Sequence, residues 1–136
     1  MFVASLLLGS ILASQGAERG EVEVRPGPRE SAVPERFRLE PAAFAYELSG
    51  LMDADRYAVK KLTFPSPIVT PDEANNTVHA EYFEPRGFPG KRPATVVLHI
   101  LGSDSPLSRS YAARLADRGV AALFVKLPYY GERRPT

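Results

Sequence analysis

Two runs of almost unbroken apolar residues, ATVVLHIL at 94–101 and VAALFVKL at 120–127, bracket a stretch with helical spacing. A strand that alternates apolar and polar residues has one dry face. A strand that is apolar throughout has two, and belongs in a parallel sheet covered on both sides. Residues 105–119 between the runs read SPLSRSYAARLADRG. Ser105 can cap, Pro106 suits the first turn, and Leu107, Tyr111 and Leu115 recur on one stripe with Ala112 beside them. Gly119 is the expected C-terminal stop. Strand, helix and strand in about thirty-five residues make a βαβ unit.

Upstream, residues 56–64, RYAVKKLTF, are rich in strand formers and end at Pro65 and Pro67. Residues 77–83, TVHAEYF, alternate, with Val78, Ala80 and Tyr82 on one side and His79, Glu81 and Phe83 on the other. A polar loop joins the two, so an antiparallel pair is expected. Residues 41–50, PAAFAYELSG, read as a short helix, with proline in the first turn, Phe44 and Leu48 four apart and Gly50 as cap. Residues 17–35 are charged, proline-rich and without an evident apolar period, as in a flexible linker. The expected class is α/β, an antiparallel strand pair followed by a βαβ unit. The expected divisions are 1–16 as signal peptide, 17–40 as linker and 41–136 as a partial α/β domain.

With 17 basic and 16 acidic residues, the net charge is +1. That balance gives no reason to expect nucleic acid or an anionic membrane as a partner. The chain has no cysteine, which removes disulfides, thiolate metal sites and cysteine nucleophiles.

Residues 2–13, FVASLLLGSILA, are apolar but too few to span a bilayer, which takes roughly 20. They match the apolar core of a secretory signal, with Ser14-Gln15-Gly16 as the small-x-small pattern before cleavage. The preceding residues lack the usual Lys or Arg. An exported protein without a stable membrane span is the expectation, and a buried helix or strand pair is the alternative.

In open parallel sheets, ligands bind beyond the carboxyl ends of the strands. The segment after Leu98 reads His99, Ile100, Leu101, Gly102, Ser103, and it lies at such an end. Peptide N–H groups near a helix N-terminus can donate to a developing negative oxygen. An ordinary strand-to-helix turn with a structural histidine is the competing reading of the same residues.

The layout of an antiparallel pair, an apolar strand ending in LHILGSD, a helix, and a strand ending in KLPYYGERR resembles the first part of an α/β-hydrolase. It is most similar to the dienelactone-hydrolase and acetyl-xylan-esterase branch. The resemblance covers residues 56–136. It implies that His99 matches the family's histidine before the oxyanion-hole glycine, that Ile100 stands where that glycine is usual, and that Leu101 is the N–H donor, with Gly102 in the same loop. It implies a pocket wall from Tyr129, Tyr130 and Arg133, although an ordinary aromatic turn fits that loop as well. The implied substrate is a small-molecule ester or acyl compound, attacked by serine or cysteine, with no cofactor. In that family the fourth strand lies between the second and third. Residues 120–127 are therefore expected between 77–83 and 94–101.

The family's nucleophile sits in Gly-x-Ser-x-Gly on a strand-to-helix turn. That motif does not occur in this sequence. The resemblance therefore implies an incomplete sheet, the N-terminal portion of a larger hydrolase, with no catalytic residue of its own. Residues 94–101 would then form an exposed edge. The rival reading is a small secreted, non-enzymatic α/β module that binds through that open edge.

Other signals are weaker. His79 and His99 are the only histidines and lack partners at metal spacing. Asp53 and Asp55 read as a turn. Asn75-Asn76-Thr77 fits the N-glycosylation pattern. There is no glycine-rich phosphate loop.

Overall fold

A computed structural model of the chain describes residues 16–38, 40–100 and 106–135. Residues 1–15 of the expected signal segment and the Leu101–Gly102 part of the loop lie outside those residues. The described residues form a single mixed sheet of six strands with one α-helix on it.

The strands are β1 (Glu18–Val24), β2 (Ala42–Asp53), β3 (Tyr57–Pro65), β4 (Thr77–Pro85), β5 (Ala94–Leu98) and β6 (Ala121–Val125). Helix α1 (Pro106–Asp117) connects β5 to β6. Strand order is β1-β2-β3-β4-β6-β5. The first four strands are antiparallel neighbours, β4 runs antiparallel to β6, and β5 and β6 are parallel. Strand β6 thus sits between β4 and β5, in the order expected for residues 120–127.

Two segments differ in secondary structure from expectation. Residues 41–50 are not a helix but most of β2. Phe44 and Leu48 are four apart, a spacing that fits one helix face and equally one strand face. Tyr46 between them completes a period of two, and β2 follows that period. Residues 17–35 are not without structure either. Within their charged composition, Glu21-Val22-Glu23-Val24 alternates strictly, and β1 pairs there with β2 from Glu18↔Leu48 to Val24↔Ala42. Gly20 lies opposite Tyr46, where a Cβ would come within 2.5 Å of the phenol oxygen.

The core forms where α1 meets the sheet. Ala112 and Ala116 pack on Val97, Ala122 and Phe124, with Val59 and Phe83 continuing the cluster. The buried side of α1 is therefore its alanine side, while Leu107 and Tyr111, expected on the packed stripe, are exposed. Methyl-sized side chains let the helix backbone come close to β6, and that close approach decides which face turns inward. Arg109 donates from Nε to both Glu81 carboxylate oxygens, at 3.0 and 2.8 Å, and so ties α1 to β4. The helix ends in a Schellman motif: Val120 N–H donates to Leu115 O and Gly119 N–H to Ala116 O, both at 3.0 Å, with Gly119 at φ +85°.

Strand β4, expected to be half-buried, is central: Val78 and Ala80 on one face are as buried as Glu81 and Phe83 on the other, while Tyr82 borders the open trough. The opposite holds for β5. It lies at the sheet edge, and Val96 and Leu98 are 61% and 56% exposed. The sheet face away from α1 is a concave apolar trough of about 590 Å³, lined by Phe44, Tyr46, Phe64, Tyr82, Val96 and Leu123 among others. Among the described residues no helix covers it.

Candidate functional site

The carboxyl ends of β5 and β6, the end of β3 and the start of β4 meet at one end of the sheet. Three segments gather there: His99-Ile100 after β5, residues 126–134 after β6, and the 66–76 loop between β3 and β4.

His99 follows the last β5 residue and, by strand alternation, points to the α1 side with Val97. It is 7% exposed. Its Nε2 accepts the Leu127 N–H at 3.1 Å, and its Nδ1 lies 3.0 Å from Ile100 O. An amide N–H can only donate and a carbonyl can only accept. Both contacts therefore demand the neutral ring protonated on Nδ1. The ring stands edge-on to Tyr130, with centroids 4.6 Å apart, and to Phe124 at 6.4 Å. With both nitrogens engaged, His99 is a clamp between two loops and has no lone pair left for general-base work. Ile100 is exposed on the outer side of that clamp.

The loop after β6 is held along its length. Lys126 N–H donates to His79 O, Tyr129 N–H to Asn75 Oδ1 at 2.8 Å, Tyr130 N–H to Leu127 O, and Arg133 N–H to Tyr130 O. None of these N–H groups is free to meet a substrate oxygen. Tyr129 is the one described non-glycine residue at positive φ, +68°. That conformation costs a tyrosine roughly 1–2 kcal/mol, and such strain gathers at functional loops. Its ring is half exposed.

Arg133, expected to line the pocket, is 5% exposed. Its guanidinium is turned inward, donating to Lys126 O at 3.2 Å and to Asn75 O at 2.8 Å. Burial pulls its pKa below the ordinary arginine value. It therefore braces the loop from behind. Of the expected residues, His99, Tyr129, Tyr130 and Arg133 are brought to this end of the sheet, and Leu101 and Gly102 fall outside the described residues.

Asn75 was read only as part of a glycosylation pattern. Its side chain is 1% exposed and accepts from Tyr129, so a glycan there is incompatible with this fold. A buried polar group of this kind leaves no mark in one sequence, because an asparagine before a strand looks like any turn residue. Among the described residues its Nδ2, together with His79 Nδ1 and Arg133 Nε, is buried without a hydrogen-bond partner.

Among the described residues no group of three or more His, Asp or Glu is arranged to hold a metal ion. No helix among them is long and apolar enough to cross a membrane. No protein-family model and no curated protein sequence matches the chain.

Proposed function

We propose that this chain is the N-terminal portion of an exported serine-type α/β-hydrolase of the esterase or dienelactone-hydrolase kind, without hydrolytic activity by itself. The observation that carries the reading is the strand order. Strand β6 lies between antiparallel β4 and parallel β5, and β5 forms the sheet edge. That order fits the resemblance noted for residues 56–136. The apolar, uncovered face beside β5 and β6 fits a sheet designed to continue.

In the whole enzyme a serine supplied by a later strand attacks the ester carbonyl. The carbonyl oxygen takes up negative charge in a tetrahedral intermediate. This chain contributes the loop that meets that oxygen, with Leu101 as donor beside Ile100 and Gly102. Removing one such donor typically costs about 2.7–4 kcal/mol of transition-state stabilisation. His99 holds the start of the loop against Leu127. The rings of Tyr129 and Tyr130 form a wall of the substrate pocket, and Arg133 braces them from below.

Two measurements test the reading. The purified chain, given p-nitrophenyl acetate, shows no serine-dependent turnover above buffer; clear turnover abolished by a serine-reactive phosphonate overturns the proposal. The genomic DNA after the Thr136 codon encodes Gly-x-Ser-x-Gly in frame or within reach of a frameshift; its absence there also overturns it. The exposed edge of β5 favours a second reading, a binding module that pairs through residues 94–98. A well-ordered β5-paired homodimer in solution would support that one instead.

A further inference from the structure

We infer that Asn75 is a positioning residue for Tyr129, which makes the 66–76 loop between β3 and β4 a third component of the site. Calling the Tyr129 ring a pocket wall rests on the hydrolase reading; the hold of Asn75 on Tyr129 does not. Tyr129 occupies the left-handed region at φ +68°, where a side chain other than glycine needs external support. The preceding Pro128 restricts the chain on one side. The other support is the Tyr129 N–H bond to Asn75 Oδ1.

Asn75 is itself fixed. Its N–H donates to Asp72 O at 2.9 Å, and its carbonyl accepts from Arg133 Nη2 at 2.8 Å. The loop beneath it is closed by Asn76, whose Oδ1 accepts the Thr70 N–H at 2.7 Å and whose Nδ2 donates to Thr70 O at 3.0 Å. Ser66 N–H donates to Asn76 O at 2.8 Å. The grip thus runs from a braced loop, through one buried oxygen, to the strained residue. Among the described residues only that oxygen is used, and Nδ2 has no partner. An aspartate keeps an acceptor oxygen at this position and can therefore replace Asn75 in this role.

The test is amide hydrogen exchange by NMR on the full chain, comparing the parent with Asn75→Ala and Asn75→Asp. Asn75→Ala should speed exchange at Tyr129 about tenfold or more while Phe83 and Phe124 keep their protection. Asn75→Asp should restore Tyr129 to within about threefold of the parent. Unchanged Tyr129 exchange in Asn75→Ala overturns the inference, as does equal loss at Phe83 and Phe124, which marks a general stability effect. Should Asn75→Ala not fold, Asn75→Asp and Tyr129→Gly decide. Glycine adopts the left-handed region freely, so Asn75→Ala in the Tyr129→Gly background must fold again if the strained tyrosine was the reason. Continued failure there overturns the inference. Because no hydrolysis is measured, this result stands or falls separately from the esterase reading.

Discussion

Nε2 of His99 accepts the Leu127 N–H at 3.1 Å, joining the chain just after β5 to the chain just after β6. The two strands are already parallel neighbours, and this bond extends their registry into the loops. His99→Ala should therefore cost about 2–3 kcal/mol, from the emptied space beside Tyr130 and the unpaired Leu127 N–H. His99→Gln should recover part of it, since its Oε1 can accept where Nε2 did. Urea denaturation of the three proteins checks this; equal stability of Ala and parent would show that the bond is not formed.

Acid should weaken the fold. Burial holds the His79 imidazole below its ordinary value of 6.5, against a weaker upward pull from Glu132. The unfolded chain then binds that proton more readily than the folded one. Stability is full above the ordinary value and declines as pH falls through the lower folded value. Glu132 acts in the same direction further down. Burial, the largest single influence, raises its pKa, but the Lys126 hydrogen bond, a backbone hydrogen bond and the nearby positive charge together outweigh it, and its contribution fades as pH drops below the carboxylate range. The urea midpoint should be lower at about pH 5.5 than at about pH 7.5, and His79→Gln should shrink the difference. An unaltered difference would place the titration elsewhere.

Gly119 closes α1 at φ +85°, and a Cβ there would meet the Phe88 ring at 2.8 Å. Gly119→Ala should lose about 1–2 kcal/mol from the backbone alone, with the ring contact adding to it. Thermal or urea unfolding measures the loss. An alanine variant as stable as the parent would mean that the Schellman ending is not adopted.

The uncovered trough and the β5 edge should make the isolated chain self-associate and bind a hydrophobic dye. Val96→Lys with Leu98→Lys should raise the monomer fraction in light scattering, at a stability change within about 0.5 kcal/mol. Phe124→Ala, on the packed face, should instead cost about 3–5 kcal/mol. A monodisperse parent with no dye binding would contradict the open-face description.

The sequence was most legible where period and punctuation agreed. Strands β3, β4, β5 and β6, α1 and its Gly119 ending follow from alternation, continuous apolar runs and one glycine. Strand β2 was hidden because Phe44 and Leu48 satisfy both periods, and β1 because glutamates dominate its composition while its valines alternate. Which side of α1 turns inward was not legible, since alanines weigh little on any hydropathy scale yet permit the closest approach. At the candidate site, the position of His99, Tyr129, Tyr130 and Arg133 at this end of the sheet follows from their place after the strands, but the inward turn of Arg133 does not. Asn75 was not, because its role depends on a contact with a residue 54 positions away.

That separation has a consequence for how the chain takes shape. Synthesis completes the β3–β4 hairpin and its closing loop long before residue 129 exists. Asn75 must wait for the crossover helix and the last strand to come home before it finds its guest. The mouth of this end of the sheet is therefore the final detail to set, and any stall in the crossover leaves it blank.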